Sequence, residues 1–387
     1  MDKISNPFTP GAGYIPPSLV GRDRIIEDGK VLAMRTKLLR AERGRMLIGP
    51  RGVGKTALLR YLMEDARQLG VVALSLEVRT DQGVLEELSI GLRDVLNTLD
   101  FRSKVKTGVR EAFTIFGDFV GKFSINIGGV GLEVEPRARK APVKIEEYDV
   151  FQVLTAVARA AKSAETAVGL YIDELQNMEM SVLSGIIVTL HKAAQDQLPI
   201  YLVGSGLPTI RALIGKSKTY AERMFVYENV GALSESETNE ALQTPMKAAG
   251  VELTSEAASA IYSASKGYPF FIQECGYQVW EAAECSPISI GEVAKIIPSV
   301  YERLDDNFFD VRFDRVSTLE REFLRAMANG RDDEILFSEI AKRMGRSPNS
   351  LSMIRGSLIK KGMIFSPRLG VLAYTVPLFG EYLKRVM

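Results

Sequence analysis

Cysteine, histidine and tryptophan are scarce in this 387-residue chain, which holds two, one and one of them. Cys275 and Cys285 cannot make a disulfide framework, and with the single His191 they offer no zinc-ligand spacing. His191 sits among apolar helix neighbours, and nothing supports a Ser-His-Asp hydrolase. No apolar run approaches the ~20 residues that span a bilayer, so no membrane partner is expected. The first residues, Met1 to Pro7, lack the apolar stretch of a secretion signal, and the expectation is a cytoplasmic protein. Charge of one sign is also missing, with 49 basic residues against 48 acidic ones. Global charge therefore identifies no polyanionic partner. Local charge says more. Val316 to Met387 carries twelve Lys/Arg against seven Asp/Glu, and residues 101–144 carry nine against four. Each is a modest basic surplus.

What is present is a soluble globular mix, 46% hydrophobic and 25% charged. At this length two or three domains are expected. Residues 1–20 are rich in Pro, Gly and Ser and read as an extended arm. Helical spacing runs from Arg22 to Arg43, followed by a short apolar strand, Met46 to Ile48. Helices over Lys55 to Leu69, Val84 to Leu99, Asp149 to Ser163 and Val182 to Gln195 then alternate with strands over Val71 to Val78, Val168 to Ile172, Ile200 to Val203 and Phe225 to Tyr227. This alternation predicts an α/β fold, a parallel sheet with helices on both faces. Residues 101–144 interrupt it: the first half reads as helix, and Lys122 to Glu135 alternates about a Gly-Gly pair as a β-hairpin. After Leu233 the pattern is helical only. Trp280, Phe270, Phe271 and Tyr277 read as the core of this helical region.

The segment Gly49-Pro-Arg-Gly-Val-Gly54-Lys55-Thr56 matches G-x-x-x-x-G-K-[ST]. Such a match arises by chance in roughly one chain in a hundred of this length. Here it also lies between a predicted strand and a predicted helix, the context that its chemistry needs. Glycines let backbone N–H groups face phosphate oxygens where a Cβ would intrude. The following helix presents its positive end. Gly49, Pro50, Arg51, Gly52, Val53, Gly54, Lys55, Thr56 and Ala57 are thus candidate ATP/ADP-binding residues, with Lys55 at the β- and γ-phosphates and Thr56 on Mg²⁺. The strand ending in Asp173 and Glu174 supplies a second Mg²⁺ residue, Asp173, and a base, Glu174, for the attacking water. Solvated acids at a strand end are the plain alternative. Ser205, at the end of another strand, can reach the γ-phosphate or the water; simple turn chemistry accounts for it nearly as well.

In this order the elements resemble the AAA+ and STAND classes of P-loop ATPases, over roughly Ser18 to the C-terminus. The initiator-like layout of origin-recognition ATPases is the nearest: ATPase core, helical lid, winged helix. The resemblance implies ATP hydrolysis that uses Lys55, Glu174, Ser205 at the sensor-1 position, and an arginine finger, Arg223, within Tyr220 to Phe225. Such an arginine usually acts on a neighbouring subunit's nucleotide, which would imply a homo-oligomer through Arg223; a surface or structural arginine is the plain alternative. The resemblance also implies that Val20, Gly21 and Arg22 pack near the adenine. One feature departs from the AAA+ pattern. The lid helix begins Gly267-Tyr-Pro269-Phe-Phe271, with no sensor-2 arginine. Its Gly-x-Pro resembles the STAND lid motif, in which the proline packs on the base, and implies sensing by packing and slow hydrolysis.

The C-terminal stretch reads as a winged helix. Ser317-Thr-Leu-Glu320 fits a capping box, and Ser347-Pro348 an N-cap with proline at the first helical position. The third helix turns Leu351, Ile354, Leu358 and Ile359 inward and leaves Asn349, Ser350, Ser352, Arg355 and Lys360 outward. With Arg346 in the turn and Arg368 on the wing, these are candidate contacts to double-stranded DNA. The expected organisation is an arm over 1–20, an ATPase core over 21–231 with an insertion at 101–144, a lid over 232–315 and a winged helix over 316–387. The expected function is a Mg²⁺-dependent ATPase whose nucleotide state controls the winged helix on DNA. The alternative is a STAND-like switch whose winged helix meets a protein partner. A kinase-like phosphotransferase is disfavoured by Glu174 and by the lack of a recognisable acceptor pocket.

Overall fold

The computed structural model describes residues 1–11, 13–79, 83–103, 107–123, 125, 145–328 and 334–386. Strands β1 (Gly44–Ile48), β2 (Val72–Glu77), β3 (Val168–Asp173), β4 (Ile200–Gly206) and β5 (Phe225–Asn229) pair in parallel in the order β2-β3-β4-β1-β5. Helices α1 (Asp23–Lys37), α2 (Lys55–Gln68), α3 (Val84–Arg102), α4 (Thr107–Phe123), α5 (Glu147–Ser163), α6 (Met180–Asp196) and α7 (Ile210–Ser217) surround them. Side chains alternate across a strand, so the central strands feed two cores. Met46, Ile48, Leu170 and Ile172 join one; Leu47, Tyr171 and Val203 join the other. Both faces are covered, which explains the near-continuous apolar runs.

The lid consists of α8 (Glu235–Ala248), α9 (Ser255–Ser265), α10 (Pro269–Ala282) and α11 (Ile290–Leu304). Ser234 and Ser289 close capping boxes with Glu237 and Glu292. A π-helical turn, Asp305–Asp310, and a short helical turn, α12 (Val311–Phe313), continue from α11. The C-terminal module follows: α13 (Thr318–Ala328), β6 (Glu334–Leu336), α14 (Phe337–Arg343), α15 (Pro348–Lys360), β7 (Ile364–Phe365), β8 (Val371–Tyr374) and α16 (Phe379–Arg385). Its antiparallel sheet has the order β6-β8-β7. Lid and winged helix share one continuous core, in which Phe271, Phe309, Phe379 and Tyr382 meet and which Phe8 of the arm also enters.

Several local expectations change. The first helix stops at Lys37, not Arg43, because Leu39 turns into the left-handed region (φ 59°) and Arg40 N–H closes back on the Arg35 carbonyl. Lys122 and Phe123, expected to open a hairpin, finish α4, whose Phe116, Phe119 and Val120 are buried. Most of the remaining hairpin (124 and 126–135) lies outside the described residues. The wing has a third strand, β6, and a closing helix, α16, both too short for a sequence pattern. Ile359, expected inside, is 40% exposed.

The Ser317 capping box does more than cap. Glu320 is buried and accepts from Ser317 N–H at 2.6 Å, from Ser357 Oγ at 2.6 Å and from Lys361 Nζ at 2.6 Å. It thus pins the end of α15 to the start of α13. Burial alone would raise the Glu320 pKa, but Lys361, Ser357 and Ser317 together outweigh it and hold the carboxyl down at about 2. Its stabilisation is therefore full above the unfolded value of 4.5 and is lost as pH falls toward about 2. Glu320→Gln is expected to cost on the order of 2 kcal/mol at neutral pH. In thermal melts from neutral pH toward pH 2, the gap between wild type and variant should close; a constant gap would contradict the assignment.

Candidate active site

The bend after β1 is shaped by close approach. A Cβ on Gly49 would stand 2.0 Å from the Val230 carbonyl oxygen, so no other residue fits there. Gly54 caps α2 with φ 87°, the left-handed region that favours glycine. These constraints place Lys55 at the start of α2, buried beneath its own loop. Its Nζ donates to the Gly49 carbonyl at 3.0 Å and the Pro50 carbonyl at 2.6 Å. Burial pulls the Lys55 pKa down to about 8; Glu174 and Asp173 oppose that shift and Arg51 adds to it.

The strand order sets the opposing wall. β4 lies between β1 and β3, so Leu47 faces Ser205 and Ile172 faces Gly204. The carboxyl ends of the three strands meet beside the loop. Asp173 Oδ2 accepts from Thr56 Oγ1 at 2.5 Å, while Oδ1 accepts from Ser205 Oγ and from Glu174 N–H at 2.8 Å. Ser205 is fully buried and its hydroxyl donates to Asp173. Among the described residues no group of three or more His, Cys, Asp or Glu forms a metal cage. Mg²⁺ does not need one, since it keeps most of its water and takes one or two protein oxygens. The Thr56 hydroxyl and Asp173 carboxylate, already in contact, fit that demand.

Glu174 occupies a left-handed turn (φ 51°, ψ 38°). It accepts from Gln176 Nε2 and lies 3.8 Å from Arg51 Nη2. Gln176 in turn accepts from Leu207 N–H at 3.0 Å. Gln176 belongs to no motif; its place three residues beyond the strand-end Asp173 is the one signal for it in the sequence.

A cleft of about 930 Å³ opens over this constellation. The arm contributes Thr9, Tyr14 and Pro16, followed by Val20 and Arg22; the lid contributes Pro269 and Phe270; Arg312, Ile359, Lys360 and Lys361 close it from the C-terminal side. Arg22 donates to the Gly231 carbonyl at 2.6 Å, in the connection between β5 and α8. Gly21 does not line the cleft; it backs onto the Glu237 carboxylate. Phe270 N–H donates to the Gly52 carbonyl at 3.1 Å, and Arg51 N–H to the Thr375 carbonyl at 2.7 Å. Lid and winged helix therefore both touch the loop. Phe270 packs against the lid core, as expected, and also lines the cleft, where that backbone bond holds the start of α10 over Gly52.

Arg223 is exposed on the turn Ala221–Met224 and is not among the cleft residues. Of the expected DNA contacts, Arg346, Asn349, Ser350 and Ser352 are exposed. Arg355 stacks over the Phe337 ring at 4.8 Å, and Arg368 pairs with Glu334 at 2.8 Å. Lys360 is exposed, as expected, and stands at the rim of the cleft, because the end of α15 abuts the phosphate loop, with Gly362 against the Arg51 guanidinium.

No curated protein matches the chain by sequence. Residues 306–383, from within the π turn to α16, match a family described as Domain of unknown function (DUF8462). The chain is similar to the Walker-type ATPase PABY2304 of Pyrococcus abyssi, with a TM-score of 0.57 and 16% identity over 96% of this chain and 99% of that one. At that identity the likeness shows the fold, that of a Walker-type P-loop ATPase. Looser matches are the RuvB Holliday junction branch migration motor of Thermotoga maritima (TM-score 0.47, 16% identity, 96% and 98% covered) and the Orc1 protein of Aeropyrum pernix in complex with DNA (TM-score 0.46, 15% identity, 97% and 94% covered). Superpositions this loose say nothing of function. No helix among the described residues is long and apolar enough to cross a membrane.

The depressed Lys55 pKa makes a testable statement about ligand binding. A polyphosphate binds the protonated ammonium, so above about pH 8 binding must first restore a proton. Phosphate itself is fully ionised there. Nucleotide affinity is expected to fall as pH rises through 8, approaching tenfold per unit. Calorimetric titrations between pH 7 and 10 check this; a flat profile would contradict it.

Proposed function

We propose that the chain is a Mg²⁺-dependent ATP-binding protein and ATPase whose nucleotide state governs the position of its winged helix. The observation that carries this is the convergence of Lys55, Thr56, Asp173 and Glu174 at one sheet edge, beneath a cleft large enough for a nucleotide. Backbone N–H groups of the loop and the start of α2 would receive the phosphates. Thr56 and Asp173 would hold Mg²⁺, which when bound offsets charge on the β- and γ-phosphates. Ser205 supports this by fixing the Asp173 carboxylate. Glu174, once released from Gln176 and Arg51, would orient and deprotonate the attacking water. Val20 and Pro269 would flank the base. Arg223, exposed and outside the cleft, would serve only the nucleotide of a neighbouring copy.

Double-stranded DNA is the partner we assign to the exposed start of α15, through Arg346, Asn349, Ser350 and Ser352, with Arg368 on the wing. A second reading, a closed nucleotide switch released by a protein partner, is favoured by the bond from Arg51 N–H to the Thr375 carbonyl and by the apolar contact of Leu207 with Phe365 and Ala373. Both readings share the nucleotide site and differ in what moves the winged helix.

Lys55→Ala is expected to lose nucleotide binding. Glu174→Gln should bind ATP and hydrolyse it at least a hundredfold more slowly. Phosphate release by both variants and wild type, with and without duplex DNA, tests the ATPase assignment; equal turnover in all three would remove it. For the partner, duplex affinity should fall steeply with salt, and charge reversal at Arg346 and Arg368 should flatten that dependence. No duplex binding at low salt, with or without ATP, would favour the closed switch.

A further inference from the structure

The lid helix α10 offers no arginine to the cleft, yet one stands in it. Arg312 lines the cleft together with Gly52, Lys55 and Thr56, and it comes from the junction between lid and winged helix. Its guanidinium carbon lies over the Phe308 ring, 3.9 Å from the centroid, and its Nη1 donates to the Phe308 carbonyl at 2.6 Å. That leaves N–H groups of the fork uncommitted. No carboxylate among the described residues forms an ion pair with it. The charges it feels are Arg51 and Arg315, and burial, followed by these two cations, lowers its pKa to about 10. A half-buried guanidinium facing other cations, with no carboxylate to answer it, is arranged to receive an anion.

The support beneath Arg312 runs in two directions. Phe308 stacks on Phe270 at 4.9 Å, and Phe270 is bonded through its N–H to Gly52 of the phosphate loop. The next residue, Phe309, stacks on Tyr382 of α16 at 5.1 Å, and Tyr382 donates its hydroxyl to Asp310. Both phenylalanines belong to the π-helical turn Asp305–Asp310. Such turns are rare, re-aim the side chains that follow them, and recur at functional sites.

We propose that Arg312 grips the terminal phosphate of bound ATP and that the π-helical turn beneath it passes the presence of that phosphate to the winged helix. This rests on the phosphate-loop reading above and gives that site its regulation. In the ATP complex the fork is drawn toward the loop, Phe308 follows, and Phe309 moves against Tyr382. In the ADP complex the terminal phosphate is absent and Arg312 is left facing Arg51.

The test uses the full chain with Mg²⁺ and either ADP or a non-hydrolysable ATP analogue. Titration calorimetry should show Arg312→Ala weakening the analogue about tenfold or more, the loss of a charge-assisted hydrogen bond, while ADP binding changes no more than about threefold. Arg312→Lys should recover part of the difference. An unchanged preference between the two nucleotides in Arg312→Ala, while Lys55→Ala loses both, overturns the proposal and leaves the phosphate-loop reading standing. Unchanged binding in Lys55→Ala overturns both. In the wild-type chain, hydrogen exchange at residues 305–313 and in α16 should slow more with the analogue than with ADP. Equal protection by the two overturns the coupling, however well the variants fold.

Discussion

A buried ammonium group organises this molecule. Taking a lysine out of water is costly unless its donors find partners. Lys55 meets that demand with the carbonyls of Gly49 and Pro50, which belong to the loop that covers it. The carbonyls can reach it only if the chain bends tightly after β1, and the bend is tight only because Gly49 tolerates the Val230 carbonyl. The nearby acids favour the charged form, and β4 brings them near by separating β1 from β3. A local requirement of one side chain thus reaches into the strand order.

The same loop is where the other parts of the chain converge. The lid bonds to Gly52, the winged helix to Arg51, and the arm to α2 through the Gly13 carbonyl and Arg60 Nη1 at 2.6 Å. Lid and winged helix have a single core, so a displacement of one carries the other. A cleft walled by arm, core, lid and winged helix lets a single ligand influence all four, provided that its affinity differs between arrangements. The winged helix has already committed much of its charge. Arg368, Arg355, Lys361 and Lys360 face Glu334, Phe337, Glu320 and the cleft respectively. Among its described residues, the first turns of α15 expose Asn349, Ser350 and Ser352.

Legibility in the sequence followed the range of each interaction. The phosphate loop, the Asp173-Glu174 strand end, the capping boxes and the alternation of strands and helices depend on neighbours a few residues apart, and they read directly. Helix α1 was overextended because Leu38 and Leu39 keep its apolar spacing, while a backbone reversal at Leu39 ends it. Ile359 and Lys360 follow a sound helical pattern on α15, but a pattern cannot show that the end of that helix abuts the phosphate loop. Gln176, Phe270 and Arg312 carry no motif; each matters through a partner distant in the chain or through the shape of the cleft.

By itself the sequence determined that a glycine-rich bend with a lysine follows a buried strand, that acids close another strand, and that helices and a winged module come after. These are consequences of local sterics and of apolar periodicity, which adjacent residues dictate. Only the tertiary structure decided that β4 stands between β1 and β3, that Ser205 serves Asp173, and that Arg312 enters the cleft in place of a lid arginine. Those outcomes depend on which distant surfaces exclude water together and on how charges share a confined volume, and no short stretch of chain contains both sides of such a contact.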